Sequence, residues 1–421
     1  MIPDSSRPPS IVRAQRPADP HVLVIGAGLG GLCLAQGLRR AGIGVAVYER
    51  DASPAVRAQG HRLHINAAGR RALAANLPPD LFALIGSMAG RPPARVSGFD
   101  DQLRPTGVFD LDEDLAPDQD LDRIMPAHVV IDRRALHRVL LEGLDGVVEF
   151  GRHCVGYEVD RAVVTARFAD GRTARGTLLV AADGIGSRIR AQRLPHARVV
   201  DSGARLIYGR VPLTPRLRAE LPRAMFSVFN SVVGPGQRFL GIAPVEYRER
   251  PSAAAARLAP QVDLGSAHDS LAVMFGRRRE LLGLGDEELR TAPGERLRDV
   301  VRGQIAAWHP LLRRIVAEWD ASTLYPVTVR SSVPVPPWAS SNVTLLGDAV
   351  HAMSPAAGAG ANMALRDAAA LAASLAQAAP GAPLADVVRD YEKHMLKEGF
   401  DAVRRSSANG VRTLGEDPLP T

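Results

Sequence analysis

One glycine-rich segment near the start constrains the fold more than any other feature of this 421-residue chain. Residues 21–50 read HVLVIGAGLGGLCLAQGLRRAGIGVAVYER. The pattern predicts a strand over residues 22–25, a glycine turn, a helix to about Arg40 and a second strand over residues 44–48. Two strands joined by a crossover helix lie parallel. The segment therefore predicts a doubly wound α/β sheet with a ligand at the carboxyl ends of its strands.

The turn carries the pattern G-x-G-x-x-G at Gly26, Gly28 and Gly31. The first glycine allows the tight turn, the second lets the backbone approach a pyrophosphate, and the third lets the helix pack on the strand. The start of the helix offers free N–H groups and a positive dipole to phosphates. Glu49 ends the second strand, where a carboxylate can hold ribose hydroxyls. These residues predict a dinucleotide site, although the motif alone does not separate NAD from FAD.

Two later segments favour FAD. LLVAADGIGSRIR (residues 178–190) ends a strand in Asp183-Gly184, and VTLLGDAVHAM (residues 343–353) ends another in Gly347-Asp348. Asp348 is placed to accept a hydrogen bond from a ribityl hydroxyl. The loop over residues 354–360, SPAAGAG, contains small residues, so its backbone can lie close to a flat ring. The next helix would direct its positive N-terminus at the N1–C2=O edge of a flavin.

The remaining patterns divide the chain. A strand and helix over residues 129–144 predict a third unit of the sheet, and residues 146–182 are β-like. The middle of the chain has strand candidates at 206–213, 225–233, 239–245 and 271–275, helices over 285–319, and a hairpin over 94–113 that can join those strands. We expect a flexible N-terminal arm (1–20), an FAD-binding domain (21–93, 122–200 and 323–400), a substrate-binding domain (94–121 and 201–322) and a C-terminal helix or tail (401–421).

Composition excludes several other classes of protein. The net charge of +7 does not indicate a nucleic-acid partner, because Lys393 and Lys397 are the only lysines among 52 basic residues and the arginines are spread along the chain. Cys33, Cys154 and the histidines lack metal-ligand spacing, so no metal site is predicted. The chain has neither the apolar run of a membrane span nor the h-region of a secretory signal. We expect a cytoplasmic protein, monomeric or homodimeric.

In order and spacing, the three segments resemble the GxGxxG, DG and GD motifs of the class A flavoprotein monooxygenases, the p-hydroxybenzoate hydroxylase-like family. The likeness covers about residues 20–200 and 323–400, and its GD stretch is the most specific part. In that family the acid matching Glu49 binds the adenosine ribose and the acid matching Asp348 binds the ribityl chain. Arg133 and Arg57 match arginines that contact FAD, and His351 matches a histidine for which we expect a loop-ordering role.

The resemblance implies a Rossmann-like (GR2-type) FAD-binding domain, a β-sheet-based α+β substrate domain, C-terminal helices and non-covalent FAD. The residues assigned to the cofactor are Gly26, Gly28, Gly31, Glu49, Arg50, Arg57, Arg133, Val155, Asp183, Gly184, Gly347, Asp348, Pro355, Gly358, Gly360, Ala361 and Asn362.

The resemblance also implies a reaction. NAD(P)H reduces FAD, O₂ adds at flavin C4a, and the hydroperoxide hydroxylates or epoxidises an electron-rich, aromatic or polyketide-like small molecule of secondary metabolism. No catalytic side chain is assigned, since the flavin carries the chemistry. Strand alternation places Phe226 and Phe229 on opposite faces, so one of them is expected to reach the substrate. The candidate pocket residues are Tyr208, Arg210, Phe226, Phe229, Asn230, Phe239, Met274 and Pro355.

Three other interpretations stay open. The pocket candidates also fit the ordinary core of a β-sheet. The protein fits a related flavoenzyme without oxygen insertion, such as a reductase or an oxidase. It also fits a flavoprotein that keeps FAD structurally to shape a cyclisation pocket.

Overall fold

The computed structural model describes residues 21–54, 56, 62–111, 118–265, 267–379 and 381–420. The predicted N-terminal arm and Arg57 therefore lie outside the described residues. The strands are β1 His21–Ile25, β2 Gly44–Tyr48, β3 Arg62–Ile65, β4 Arg95–Asp100, β5 Pro105–Asp110, β6 Val129–Asp132, β7 Val148–Glu149, β8 Cys154–Asp160, β9 Val163–Phe168, β10 Thr173–Gly176, β11 Leu178–Ala181, β12 Val199–Pro212, β13 Phe229–Gly234, β14 Arg238–Val245, β15 Ser270–Arg278, β16 Tyr325–Ser332 and β17 Val343–Leu345.

The α-helices are α1 Leu29–Arg40, α2 Ala67–Asn76, α3 Pro79–Met88, α4 Gln119–Ile124, α5 Arg133–Leu141, α6 Arg188–Arg193, α7 Pro215–Glu220, α8 Pro251–Leu258, α9 Arg279–Leu282, α10 Asp286–Thr291, α11 Gly294–Gln304, α12 Pro310–Ala317, α13 Asp348–His351, α14 Gly360–Gln377 and α15 Leu384–Leu414. Short 3-10 turns cover Arg223–Met225, Ala321–Thr323 and Pro355–Ala357.

A five-stranded parallel sheet in the order β17-β11-β1-β2-β7 organises the predicted cofactor segments. Every residue of β11 is buried, and so is every residue of β1 after His21. Because successive side chains of a strand point to opposite faces, both faces of this sheet are covered. The doubly wound sheet predicted from the first fifty residues is confirmed, and β1, α1 and β2 fall where the sequence places them.

The predicted third unit of this sheet is wrong. A strand and a helix do form as β6 and α5, but β6 pairs antiparallel with β3 in a separate two-stranded sheet. All four residues of β6 are buried, so its sequence looks like that of a parallel core strand. Packing against β3, more than sixty residues earlier, decides the partner, and the local pattern does not encode it.

A seven-stranded sheet in the order β16-β12-β15-β14-β13-β4-β5 forms most of the middle of the chain. The predicted hairpin forms as β4 and β5, and it joins the sheet through parallel pairing of β4 with β13. At the other edge β16 pairs antiparallel with β12, so that Tyr325 lies opposite Tyr208. The sequence analysis assigns β16 to the FAD-binding domain, whereas this strand pairs with β12 of the seven-stranded sheet.

The two faces of the seven-stranded sheet pack differently. One face, which includes Ile207 and Val273, forms a buried core with Leu297 and Leu312 of α11 and α12, in the region where helices were predicted. The opposite face forms a smaller group, here called the loop-side cluster: Ala204, Leu206, Phe239, Val329 and Leu414, with Tyr208, Phe229, Met274, Val327 and Ala356 packed against them.

The helix α15 runs unbroken for 31 residues, and the predicted boundary at residue 401 falls inside it. Gly399 lies within this helix although glycine weakens helices. A Cβ atom there would lie 2.4 Å from Cδ2 of His351, so the contact requires a glycine. Among the described residues, none of the helices has the length and apolar character needed to cross a membrane.

Candidate functional site

The three glycines of the first turn have three different surroundings. Gly26 has φ of +110°, and a Cβ there would lie 2.4 Å from the carbonyl oxygen of Ala182. A Cβ on Gly31 would lie 2.1 Å from the carbonyl oxygen of Gly26. A Cβ on Gly28 would meet no described atom within 4 Å. Two glycines therefore serve close packing, whereas Gly28 borders open space at the start of α1, as a pyrophosphate site requires.

Glu49 holds the same turn. One carboxylate oxygen accepts from the backbone N–H of Ala27 at 2.8 Å, and the other accepts from that of Asp51 at 3.0 Å. The residue is buried beside the glycine turn. These two bonds orient the carboxylate beside the glycine turn.

The Asp183-Gly184 turn follows β11. Oδ2 of Asp183 accepts from the N–H of Arg188 at 3.0 Å, whereas Oδ1 is buried and has no hydrogen-bond partner among the described residues. Burial raises the pKa of Asp183, while hydrogen bonds from Ser187 and backbone N–H groups oppose this. A buried acceptor without a donor fits a site that a hydroxyl or N–H of a bound cofactor completes.

Arg190 connects the Asp183-Gly184 turn to the Gly347-Asp348 turn. Its guanidinium donates to the carbonyl oxygens of Ile185 at 2.8 Å and Ala349 at 3.0 Å. The sequence analysis assigns Arg190 no role beyond its place in the motif. The two turns lie side by side because β11 and β17 are neighbours in the parallel sheet.

Asp348 opens α13 directly after Gly347. Its side chain is exposed, yet protein surrounds it, and burial raises its pKa while His351 and Arg133 oppose this. Asp348 is thus open to solvent at the carboxyl end of a parallel strand, where a bound cofactor can reach it. Arg133, at the start of α5, is thus near enough to act electrostatically on Asp348.

His351 has a structural partner that the sequence did not reveal. Its Nε2 lies 2.6 Å from Oδ2 of Asp367, which also accepts from the N–H of Gly347 at 2.9 Å. Both side chains are buried. Burial lowers the pKa of His351, but the carboxylate of Asp367 outweighs this and leaves the pKa raised. The pair fixes the turn from behind, as expected of a loop-ordering histidine.

The small-residue loop runs from Ser354 through the 3-10 turn Pro355–Ala357 to Gly358, which has φ of +62° and no described atom within 4 Å of a built Cβ. The helix α14 then begins at Gly360 without a side-chain cap. Its first N–H groups, including that of Ala361, lack intrahelical partners and suit a negatively charged ring edge.

Asn362 is used within the protein. Its Oδ1 accepts from the N–H of Asn66 at 3.1 Å, and its Nδ2 donates to the carbonyl oxygen of His64 at 2.9 Å. The side chain assigned to the cofactor therefore ties α14 to the end of β3. Of the other candidates, Arg50 is an exposed side chain 3.8 Å from Asp51, and Val155 is exposed on β8.

Four of the pocket candidates meet in the loop-side cluster. Tyr208, Phe229, Phe239 and Met274 gather there with Ala356, next to the candidate Pro355. The Phe229 and Phe239 rings are stacked with centroids 6.3 Å apart. Tyr208 is stacked on Tyr325 at 5.5 Å, a partner that the sequence did not identify.

Gly241 makes this arrangement possible. A Cβ there would lie 2.7 Å from Cζ of Phe229 and 2.8 Å from Cγ of Met274. The sheet therefore presents an aromatic surface to the loop, with a glycine beneath the rings. An isolated glycine in a strand is a recognisable signal of such close approach.

Two pocket candidates are misplaced by the sequence. Phe226 packs with the helix-side core, under the guanidinium of Arg218 at 5.7 Å. Asn230 is fully buried on that same side, where its Nδ2 donates to the carbonyl oxygens of Met225 at 2.7 Å and Ile242 at 2.9 Å. Since the strand places Asn230 and Phe229 on opposite faces, only Phe229 reaches the loop side.

Arg210 shares the face of Tyr208 and forms an ion pair with Asp132. Asp132 is the N-cap of α5, where it accepts from the N–H groups of Arg134 and Ala135. The pKa of the nearby Tyr247 is raised, first by burial and then by the negative charge of Asp132. The ion pair neutralises Arg210 and connects the seven-stranded sheet to the helix that carries Arg133.

Strand β3 borders the same junction. Arg62 donates to the carbonyl oxygen of Val228, and burial lowers its pKa to about 9. Nε2 of His64 lies 3.0 Å from Nδ1 of His128. Burial, then the charges of Arg62 and His128, lowers the pKa of His64 to about 3, so its imidazole is neutral at pH 7. No sequence motif indicated that these side chains would lie at this junction.

Comparison with known proteins agrees with this geometry. Residues 19–211 and 306–406 match the FAD binding domain family. The chain is 31% identical to a dual O-methyltransferase/FAD-dependent monooxygenase of Phaeosphaeria nodorum, over 94% of this chain and 46% of that protein. It is 29% identical to the 3-amino-4-hydroxybenzoate 2-monooxygenase of Streptomyces cremeus, over 92% of this chain and 86% of that enzyme.

A Photorhabdus luminescens protein solved as an FAD-containing monooxygenase superposes with a TM-score of 0.77 at 31% identity, over 93% of this chain and 98% of that chain. The chain spans about half the length of the first curated relatives that it matches. The family match covers most of the chain and includes all three cofactor segments. This chain therefore belongs to the FAD-binding-domain family of flavoprotein monooxygenases.

Proposed function

We propose that this protein is a monooxygenase that uses FAD, NAD(P)H and O₂ to hydroxylate or epoxidise an electron-rich, aromatic or polyketide-like small molecule. The observation that carries the proposal is the loop-side cluster, where an aromatic sheet surface packs against the loop that follows the Gly347-Asp348 turn. The name of the Streptomyces relative, an aminohydroxybenzoate monooxygenase, supports an aromatic substrate.

The residues around the three turns fit FAD. In this proposal the backbone at Gly28 and the first N–H groups of α1 hold the pyrophosphate, and Glu49 accepts from the adenosine ribose. Asp183 and Asp348 accept from hydroxyls of the cofactor, and the first N–H groups of α14 face the ring. When bound, FAD supplies the redox chemistry with NAD(P)H and O₂.

The chain's own residues then orient the substrate and exclude water. Phe229, Phe239 and Met274 give the sheet an apolar surface, and Tyr208 adds a hydroxyl whose pKa is raised by burial, then by Tyr325, so it remains protonated and can donate. Because the Arg210 charge is paired with Asp132, the surface suits a neutral aromatic ring better than a carboxylate. A surface that excludes water limits side reactions in which reduced oxygen is released before it reaches the substrate.

We propose a division of the chain that follows the sheets. The FAD-binding domain contains the five-stranded sheet, the β3–β6 pair and the β8–β10 sheet, which lie within the predicted residues 21–93, 122–200 and 323–400. The substrate-binding domain contains the seven-stranded sheet and α9 to α12. The pairing of β16 with β12 supports assigning residues 325–332 to the substrate-binding domain.

The proposal is tested with the purified protein. We expect heat treatment to release one FAD per chain, identified by chromatography, and we expect ¹⁸O from ¹⁸O₂ in the product of an aromatic substrate. Bound NAD without FAD would contradict the cofactor assignment. NAD(P)H oxidation without labelled product across an aromatic panel would favour an oxidase or reductase. Turnover retained with deazaflavin and no NAD(P)H would instead indicate a structural role for the flavin.

A further inference from the structure

Glu416 has a buried carboxyl group. It belongs neither to the residues proposed to contact the cofactor nor to the proposed substrate surface. It belongs to residues 415–417, here called the strap, which follow α15. Gly415 ends the helix with φ of +65°, and the N–H of Glu416 donates to the carbonyl oxygen of Gly410 at 3.2 Å. A Cβ on Gly410 would lie 2.3 Å from the carboxyl carbon of Glu416. The strap thus folds back onto the helix, and a glycine in that helix makes room for the carboxyl group.

The seven-stranded sheet holds the strap at both ends. Nη1 of Arg278, in β15, donates to the carbonyl oxygen of Gly415 at 2.7 Å and to Oδ1 of Asp417 at 2.8 Å. The N–H of Asp417 donates to the carbonyl oxygen of Ser202, in β12, at 2.7 Å. Two strands therefore fix the residues on either side of Glu416.

From this anchored position Glu416 reaches the small-residue loop. The hydroxyl of Ser354 donates to Oε1 of Glu416 at 2.5 Å, and the same hydroxyl accepts from the N–H of Ala356 at 3.3 Å. Glu416 and Ser354 are 4% and 1% exposed. Burial raises the pKa of Glu416 to about 7, and hydrogen bonds from Ser354 and Ser202 oppose this. A buried carboxyl group is costly to keep, so a positional role accounts for it better than stability does.

We propose that Glu416 is a positioning residue that fixes the Ser354 end of the loop against the seven-stranded sheet, so that the loop is formed before FAD binds. The inference rests on the proposed binding of FAD beside this loop. The Ser354 hydroxyl is oriented by Glu416 and in turn caps the Pro355–Ala357 turn. Without Glu416 the loop has to order itself when FAD binds, and the entropy of that ordering weakens affinity.

The test measures FAD affinity of the apoprotein by quenching of flavin fluorescence. We expect Glu416→Ala and Ser354→Ala each to weaken binding by about tenfold, equivalent to about one hydrogen bond. The double variant should be no weaker than either single variant, since both remove the same contact. Glu416→Gln keeps an oxygen that accepts from Ser354, so it should restore most of the affinity.

Glu392→Ala is the matched control. Glu392 is also a buried glutamate, and it accepts from Ser340, Thr344 and the indole of Trp338, away from the loop. We expect it to lower the melting temperature while leaving FAD affinity within about twofold. Equal affinity loss in Glu392→Ala and Glu416→Ala, or additive losses in the double variant, would overturn the proposal. A wild-type protein that binds no FAD would instead overturn the proposed function.

Discussion

Replacing Asp348 by alanine should separate cofactor binding from folding. Asp348 lies at the proposed cofactor site with an exposed side chain, and the surrounding protein desolvates its carboxylate and raises its pKa against the opposing charges of His351 and Arg133. A carboxylate whose pKa is raised on folding destabilises the folded state at neutral pH. The apoprotein should therefore be as stable without this charge, or more stable.

The affinity for FAD should change in the opposite sense. A hydrogen bond to a charged group contributes about 1.5–3 kcal/mol, so losing the bond to a ribityl hydroxyl should weaken FAD binding by about 10- to 150-fold. The assay is titration of the apoprotein by flavin fluorescence, with urea unfolding of the same apoprotein to give its stability.

Asp367→Ala is the contrasting variant. Asp367 bonds the N–H of Gly347 and the ring of His351, and all three groups are buried. Its removal leaves the buried N–H of Gly347 and the ring of His351 without their acceptor, at a cost of about 1–3 kcal/mol for each group, so this variant should lose stability. Asp348→Ala with unchanged FAD affinity, or with a loss of stability like that of Asp367→Ala, would refute the role assigned to Asp348.

Three other features give measurable expectations. Gly28→Ala should fold normally, because a Cβ there meets no described atom within 4 Å, but it should lose FAD, because the added methyl group occupies space proposed for the pyrophosphate. Gly31→Ala should instead lower the melting temperature of the apoprotein, because its Cβ would lie 2.1 Å from a carbonyl oxygen. Phe229→Ala should raise the fraction of NAD(P)H electrons released as H₂O₂, measured with peroxidase, whereas Phe226→Ala should not, because its ring faces the helix side. Folding raises the pKa of Glu416 from 4.5 to about 7, so about 3 kcal/mol of stability should be lost as pH rises through that window. Urea unfolding at several pH values should show this loss in the wild-type protein but not in Glu416→Gln.

The parts of the fold predicted from sequence are those fixed by short-range constraints. The roles of Gly26, Gly28 and Gly31 depend on a strand, a turn and a helix within twenty residues, so spacing reveals them. The partner of β6 depends on β3, and the place of β16 depends on β12, more than a hundred residues earlier. Local alternation identifies each strand but not its neighbour.

The same distinction explains which residues of the candidate site could not be identified from the sequence. Asp367 lies in an Ala-rich helix, where an acid next to apolar positions is a weak signal of a buried partner. Glu416 follows a glycine in GED, which reads as an ordinary exposed turn. Both act through partners that only the folded chain brings near, namely His351 and Ser354. Gly241 is the exception, since a lone glycine between apolar strand residues does indicate close approach.

The small-residue loop shows why those missed groups matter for function. Residues 354–360 have few side-chain atoms with which to pack, so the loop cannot stiffen itself. Its two ends are instead held by polar contacts: Ser354 by Glu416, and the first turn of α14 by the bonds of Asn362 to the backbone of Asn66 and His64. The turn just before the loop is held by Asp367. A site that must accept a flat ring closely needs bare backbone, and bare backbone keeps its shape only if neighbouring residues supply the rigidity. The loop's composition would then suit the ring, and its shape would depend on residues far away in sequence.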